Sequence, residues 1–514
     1  MNEEPRPETP SRSEFLGIKP LSMNNPEGGI LLAAINAKWI HPSLALRLLK
    51  ANLGPLENRC TIMEFALRQP LREKSDPILA AKPRILGLSV SIWNHTATLE
   101  LLGDLHSMWG QSGSRPYVVL GGPEVSYLPP EAEIFRYADY CIRGEGEVAF
   151  RELCAALLSE GEAPATFINR ELQQINLLSI KSGYHLYTDE DLRRKLIYVE
   201  ASRGCPYGCE FCQSAGGGAD SSKVREFPLE PFLAGMDDLA RRGARTFKFL
   251  DRTFNLNIKR ARQIMEFFLE KIAEQAESRQ PETPEQKPLV VHFEMVPFRF
   301  PPELLETIAR FPPGTLRLEI GIQTLNPAVA ARIGRQSDPE QELALLRLLR
   351  KTNAIIHADL IAGLPGEDMD SFAAGFDLLC EAVFPAANSS AEHPLIEIQL
   401  GILKLLPGTP IVRHAAAYGM RYNPLPPYEL TETSAIPERE FDRIKNFARF
   451  WEIIVNRGLI KGNNTAGQTL RPPQVFNQFM ALSDSLFAHF GRSWGIAKNE
   501  LIEALQDLSV SSRL

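Results

Sequence analysis

Short apolar runs separated by longer stretches of helical periodicity recur along most of this chain. In the first third the runs fall at residues 29–35, 60–65, 85–90, 117–120 and 140–142. They are short and mainly apolar, as strands are. Between them, residues 43–53, 96–109, 131–137 and 147–158 place apolar side chains at helical spacing. Strand-like runs alternating with helices predict a parallel, doubly wound α/β domain of Rossmann or flavodoxin-like type. Its ligand loops are expected at the carboxyl ends of the strands.

A second series follows, with runs at 196–199, 246–250, 289–293, 316–320, 355–361 and 396–403. Helical patterns at 231–242, 258–277 and 339–352 separate them. Six β/α units predict a partial (β/α)6 barrel of TIM type, with its chemistry at the carboxyl ends of the strands. The expected organisation is a disordered lead-in at 1–25, a ligand-binding domain at 26–165 and a linker at 166–194. A barrel at 195–420 and a helical C-terminal region at 421–514 complete it. Segments 275–287 and 384–393 read as surface loops.

Composition narrows the function classes. The 514 residues are 44% hydrophobic and 23% charged, ordinary for a globular protein with two or three domains. A net charge of -7 gives no bulk attraction to nucleic acid or anionic membranes, so neither is expected as a partner. The first ten residues lack the apolar core of a secretory signal, and no apolar stretch approaches the length of a membrane span. Seven cysteines are an odd number with no spaced framework, which favours a cytoplasmic location. Cys60, Cys141, Cys154 and Cys380 fall singly in apolar segments and read as buried, inert thiols.

The other three stand together. Cys205, Cys209 and Cys212 lie in Arg203-Gly-Cys-Pro-Tyr-Gly-Cys-Glu-Phe-Cys-Gln213, directly after an apolar run. Its Gly and Pro rule out a helix, and three thiolates this close can converge on one metal centre. Soft sulfur suits an iron–sulfur cluster or zinc. A structural zinc wants a fourth Cys or His, and the nearest histidines are the distant His185 and His292. A four-iron cluster held by only three thiolates would leave one iron open.

This loop resembles the cluster loop of the radical S-adenosylmethionine (radical SAM) superfamily. There the open iron of a [4Fe-4S] cluster binds S-adenosylmethionine, whose reductive cleavage releases a 5′-deoxyadenosyl radical. The resemblance implies that Cys205, Cys209 and Cys212 hold the cluster. Residues 248–255 correspond to the end of the second barrel strand, where the superfamily binds the methionine amino group. Asp251 is the candidate there, although the familiar Gly-Gly-Glu is absent. Glu319-Ile-Gly-Ile-Gln-Thr324 resembles the fourth-strand segment, which implies that Glu319 and Gln323 face the cofactor. Asp359-Leu-Ile-Ala-Gly-Leu-Pro-Gly-Glu367 resembles the fifth-strand segment beside the adenine, with Gly363 as the contact.

The first domain resembles the cobalamin (B12)-binding fold that precedes the barrel in one large radical SAM group. The matching segments are Ser89-Val-Ser91, Gly121-Gly122-Pro123 and Arg143-Gly-Glu-Gly-Glu147. They imply that Ser89, Ser91, Gly121, Gly122 and Gly144 contact the cofactor, the glycines by letting backbone come close. The Asp-x-His-x-x-Gly that supplies a cobalt ligand in many cobalamin proteins is absent after the first strand. His41 is therefore read as a surface or helix-capping residue. Trp39, Ile40, Trp93 and Asn94 are candidates for the open face of the corrin ring.

Together these resemblances imply an enzyme with a [4Fe-4S] cluster, S-adenosylmethionine and cobalamin that methylates an unactivated carbon through a 5′-deoxyadenosyl radical and methylcobalamin. The same cofactors would serve a cyclisation, rearrangement or oxidation, and a non-enzymatic cobalamin-binding sensor is a further alternative. Methylthiolation of tRNA or protein would require three more converging cysteines, whereas Cys60, Cys141 and Cys154 belong to separate elements. The expected partners are a small-molecule or peptide substrate and an electron donor such as flavodoxin or ferredoxin. Tyr207, Asp251 and His292 lie near strand ends, and no general base stands out.

Overall fold

The computed structural model describes residues 28–112, 114–159, 167–168, 174–215, 224–277, 287–384, 396–459 and 474–511. The lead-in at 1–25, and most of the loops read at 275–287 and 384–393, lie outside the described residues. The chain divides after Thr188 into two compact units.

The first unit holds β1 (Ile30–Asn36), β2 (Cys60–Ala66), β3 (Ile85–Ser89), β4 (Tyr117–Gly121), β5 (Tyr140–Ile142) and β6 (Phe167–Ile168). All are parallel, in the order β2-β1-β3-β4-β5-β6. The helices are α1 (Leu44–Ala51), α2 (Leu71–Ala81), α3 (His95–Ser112), α4 (Pro123–Tyr127) and α5 (Glu147–Leu158). β1 shows why its sequence is an unbroken apolar run. Leu31, Ala33 and Ile35 join Ile78 of α2 and Leu101 and Leu105 of α3 in one core. Ile30, Leu32 and Ala34 join Leu46 of α1 and Phe150 and Leu157 of α5 in the other. Each fully buried Leu, Ile or Phe contributes about 1.5–3 kcal/mol, so both layers are held through this strand.

Three details differ from the sequence reading. The helix expected at 131–137 is only a 3-10 turn, Glu133–Tyr137. Pro129 and Pro130 precede it and β5 begins at Tyr140, which leaves no room for a longer helix. Helix α2 was hidden because only Lys74, Ser75 and Ile78 of it are buried and Pro77 lies inside it. The short β6 adds a sixth strand in the stretch read as a linker.

The second unit opens with α6 (Asp189–Arg194) and β7 (Ile197–Val199), then a small antiparallel hairpin, β8 (Ser202–Arg203) and β9 (Arg225–Glu226). The remaining barrel strands are β10 (Thr246–Phe249), β11 (Val290–Met295), β12 (Leu316–Gln323), β13 (Ile355–Ala362) and β14 (Ile396–Ile402). They extend from β7 as one parallel sheet in chain order. The intervening helices are α7 (Leu229–Arg241), α8 (Ile258–Glu277), α9 (Pro302–Ala309), α10 (Pro327–Arg332), α11 (Pro339–Leu349) and α12 (Met369–Val383).

Apolar strand residues face these helices. Phe249 meets Phe293 with ring centroids 4.5 Å apart, and Phe247 meets Phe268 of α8 at 5.1 Å. The alternate positions are polar. Lys248 of β10 reaches Glu319 of β12 at 3.3 Å, passing over β11, which only the concave face of the sheet permits. The lumen is thus polar, where a purely structural barrel stacks Val, Ile and Leu.

The C-terminal region contains β15 (Arg421–Tyr422) paired with β16 (Leu430–Glu432), then α13 (Glu438–Trp451), α14 (Val475–Phe490) and α15 (Lys498–Ser511). Phe447 and Trp451 of α13 pack with Phe376 of α12 and with Phe476 and Phe479 of α14. Asn456 donates to the carbonyl of Ile398 at 2.9 Å, giving the edge strand β14 a partner. The α/β class, the partial barrel and the helical end are as the sequence led us to expect. Among the described residues no helix is long and apolar enough to cross a membrane.

Candidate functional site

The cysteine loop leaves β7 under tight control. Asp251, just past β10 and 2% exposed, accepts from the Ala201 amide at 2.9 Å and from the Ser202 hydroxyl at 2.5 Å. Burial pushes its carboxyl up to about 7, partly offset by these bonds. Both of its oxygens therefore bind the strand that feeds the loop, and Asp251 acts as an anchor for the loop. Gly204 takes a φ of +99°, which turns the chain out of the hairpin strand β8. The Cys212 amide then donates to the Cys209 carbonyl at 3.0 Å, closing the last turn.

The middle of the loop is seated from two sides. The Glu210 amide donates to the Ile333 carbonyl, and the Glu210 carbonyl accepts from the Ile411 amide, both at 3.0 Å. The Glu210 carboxylate, 8% exposed, pairs with Arg413 and with His414 Nε2, the latter at 2.8 Å. Gly334 comes so near the loop that a Cβ there would lie 2.9 Å from the Gly208 carbonyl oxygen. The Tyr207 ring packs edge-on against Phe298, with centroids 5.1 Å apart.

Cys205, Cys209 and Cys212 are free and half-buried. Burial raises the Cys205 thiol, and the neighbouring Cys212 and Cys209 raise it further. Burial also raises Cys209, while Arg335 works against it. The three sulfurs thus sit within electrostatic reach of one another. Arg335 Nη1 lies 3.8 Å from Cys209 Sγ, Nη2 donates to the Gly321 carbonyl, and Nε is buried without a partner. Among the described residues no three His, Cys, Asp or Glu side chains converge on a single ion. A cuboidal cluster puts each thiolate on its own iron, so it does not require that convergence. Three soft donors with an unused guanidinium N–H beside them fit an anionic [4Fe-4S] cluster.

The lumen supplies the second part of the site. Glu319 lies 3.3 Å from both Lys248 Nζ and His292 Nε2. Burial alone would raise Glu319, but His292 and Lys248 outweigh it and hold the carboxyl near about 2. Burial keeps His292 below its ordinary value. Its ring stacks on His357 at 5.6 Å, and His357 Nδ1 contacts Glu397 at 2.9 Å and Gln399 at 2.8 Å. Asp359 Oδ1 is buried with no hydrogen-bond partner, and burial pushes this carboxyl up to about 8. Nearer the loop, Arg252 pairs with Glu294 at 3.4 Å, and 59% of its side chain is exposed. Near pH 7 the lumen therefore offers a carboxylate (Glu319), a neutral carboxyl (Asp359) and cations side by side, a surface suited to a polar ligand.

The other two barrel residues singled out in the sequence have local reasons for their positions. Gln323 stands at φ +70°, where β12 slips register against β13. Gly363 stands at φ +88°, and a Cβ there would strike Leu430 and Phe441, so its bareness serves the packing of α13. Lys248, His357, Asp359 and Arg335 were missed. The first three were visible as polar residues at alternate positions of otherwise apolar strands. Arg335 follows α10 and carried no such signal.

In the first unit the strand order reverses between β1 and β3, the switch point where doubly wound sheets take ligands. The loops after β1, β3, β4 and β5 all leave this carboxyl edge. Ser89 and Gly121 end β3 and β4 and pair in register, Ser91 is buried, and Gly144 stands at φ +78°. Gly122 adopts φ +108°, and a Cβ there would lie 2.5 Å from the Val90 carbonyl oxygen. Its freedom lets it approach the neighbouring loop at Val90. Ser126 donates to the Gly122 carbonyl at 2.8 Å and accepts from the Gly144 amide at 3.0 Å, tying two of these loops together. Asn94, proposed above for the ring face, is 2% exposed and staples the loop. Its amide donates to the carbonyls of Ile35 and Ser89, and its oxygen accepts from the Ser91 amide. The helix cap is Ser43, whose Oγ accepts from the Leu46 amide at 3.3 Å; capping does not fall to His41. Trp39, Ile40 and Trp93 are 46%, 39% and 53% exposed on the β1 and β3 loops. Large apolar side chains exposed at a ligand edge fit a flat macrocycle such as cobalamin.

Fold and site thus define a two-part α/β protein: a doubly wound domain with an apolar ligand edge, then a polar partial barrel with a three-thiol loop. The family model of the B12 binding domain matches residues 30–154, and that of the radical SAM superfamily matches residues 199–379. The chain belongs to the radical SAM proteins that carry a B12-binding domain, whose cofactors are a [4Fe-4S] cluster, S-adenosylmethionine and cobalamin. It is 28% identical over 209 residues to the cobalamin-dependent radical SAM methyltransferase TokK of Streptomyces tokunonensis. That match covers 36% of this chain and 30% of TokK, so the chain spans less than a third of this relative. The radical S-adenosylmethionine methyltransferase TsrM of Kitasatospora setae superposes with a TM-score of 0.56 at 18% identity, covering 80% of each chain. The cobalamin-dependent S-adenosylmethionine radical enzyme OxsB superposes at 0.63 and 15% identity, over 95% of this chain and 81% of its own. These two structures speak for the fold.

Proposed function

We propose that this chain is a cobalamin-dependent radical SAM methyltransferase that methylates an unactivated carbon of a polar small molecule or peptide. The observation that carries the proposal is the trio Cys205, Cys209 and Cys212, seated by Glu210 and Asp251 beside a polar lumen. These cysteines would hold the cluster, and the carboxyl edge of β1, β3, β4 and β5 would hold the corrinoid. Bound there, the cofactors supply one-electron radical chemistry and a transferable methyl group.

The chain's own residues do the rest. Glu319, charged at neutral pH, and Lys248 present fixed opposite charges to a ligand. Asp359 keeps its proton near neutrality and so can donate from its carboxyl. The aromatic layer outside the strands packs Phe249 on Phe293, and Asn456 caps the Ile398 carbonyl of β14. The methyltransferases among the relatives favour methyl transfer over cyclisation or oxidation. Methylthiolation is disfavoured because Cys60, Cys141 and Cys154 are buried on β2, β5 and α5. Reductive cleavage of S-adenosylmethionine calls for an electron donor such as flavodoxin or ferredoxin, and a cytoplasmic setting suits thiols that stay free.

The test is anaerobic reconstitution with iron, sulfide and cobalamin. The loaded protein should cleave S-adenosylmethionine to 5′-deoxyadenosine under reductant, and Cys209→Ala should lower that rate at least a hundredfold. Label in the S-adenosylmethionine methyl group should appear in product. Cleavage persisting in the variant, or zinc in place of iron, would overturn the proposal.

A further inference from the structure

Arg335 differs from the other cations of the site. Arg252 is compensated by Glu294, and Lys248 by Glu319. Arg335 makes no ion pair among the described residues; the carboxyl that feels its charge is the buried Glu342, which burial nonetheless pushes up to about 7. Its guanidinium is held in place nonetheless. Nη2 is fixed on the Gly321 carbonyl at the point where β12 slips register, and Nη1 faces Cys209 Sγ at 3.8 Å. The backbone that carries it is pinned as well, through the Glu210 amide on Ile333 and the close approach of Gly334 to Gly208. A rigid positive charge with no ion pair of its own is thereby held against one cysteine of the three.

Hydrogen bonds to the sulfurs and the net charge nearby are what set the potential of an iron–sulfur cluster. A donor that contacts the thiolate and carries a full positive charge favours the state with one more electron. We propose that Arg335 is a positioning residue that raises the reduction potential of the cluster held by Cys205, Cys209 and Cys212. This rests on the cysteines being the cluster ligands, and it adds a residue outside the cysteine motif to the electron-accepting step. That step is the uptake of one electron by the cluster from an added reductant, with no bond made or broken in the protein.

The experiment is a dithionite titration of the reconstituted full-length protein, followed by electron paramagnetic resonance, with iron and sulfide measured on each sample. In Arg335→Gln the ratio of reduced to oxidised cluster at a fixed ambient potential should fall about tenfold, a shift of about 59 mV for one electron. Arg335→Lys keeps the charge and loses the planar fork, and should recover part of the difference. An unchanged midpoint in a fully loaded Arg335→Gln protein overturns the inference. So does loss of the cluster from both variants, which would make Arg335 a loop anchor only. Failure of the unaltered protein to bind iron and sulfide is a different result, and it would overturn the cysteine assignment instead.

Discussion

Asp359 lies on the lumen wall with one carboxyl oxygen unpartnered and its proton retained to about pH 8, chiefly because of burial. An unfolded aspartate releases that proton near pH 4. Between these values the folded chain binds a proton that the unfolded chain has lost. The associated stability is fully present below about pH 4 and is lost as pH rises through about 8. Asp359→Asn removes the effect while nearly preserving shape. Its stability relative to the natural chain should therefore grow between pH 5 and pH 8, by at most about 1.4 kcal/mol per pH unit. Asp251, Glu342 and Glu367, each pushed up to about 7 by burial, are common to both proteins and cancel in the comparison. Thermal unfolding at the two pH values reads it directly. A gap that stays constant would show that Asp359 is ionised in the folded chain.

The glycine at 122 and the carboxylate at 251 carry a lesson at the scale of elements. Both were picked out in the sequence for contact with cofactors, and both turn out to join one loop to another. Gly122 yields space to Val90, and Asp251 binds Ser202. Gly122→Ala should cost the first unit about 1–3 kcal/mol from the positive φ alone, with the Val90 collision added. Denaturant unfolding followed by corrinoid binding would register both. The strands themselves were legible because parallel strands between helix layers are apolar throughout or alternate strictly with a polar lumen. The C-terminal pairing of Arg413 and His414 with Glu210 was not, since 203 and 204 residues separate the partners and no periodicity links them. Helix α2 was equally silent, because a helix resting half in water with Pro77 inside it has little apolar stripe to read.

At the scale of the whole molecule, the B12-binding and radical SAM family models fall on different units, which predicts that the units divide the cofactors between them. Trp39→Ala with Trp93→Ala should weaken corrinoid binding tenfold or more while iron content stays full. Cys209→Ala should do the reverse, with cobalamin retained and the cluster lost. Visible spectra and metal analysis of the two proteins separate these outcomes, and joint loss of both cofactors from either one would contradict the division. The seat of the cysteine loop also has a consequence for how the protein is made. Arg413 and His414, which fasten Glu210, are synthesised about two hundred residues after it. At ~5–20 residues per second, that interval lasts about 10–40 s on the ribosome. Until it ends, the three thiols lack the clasp that seats their loop.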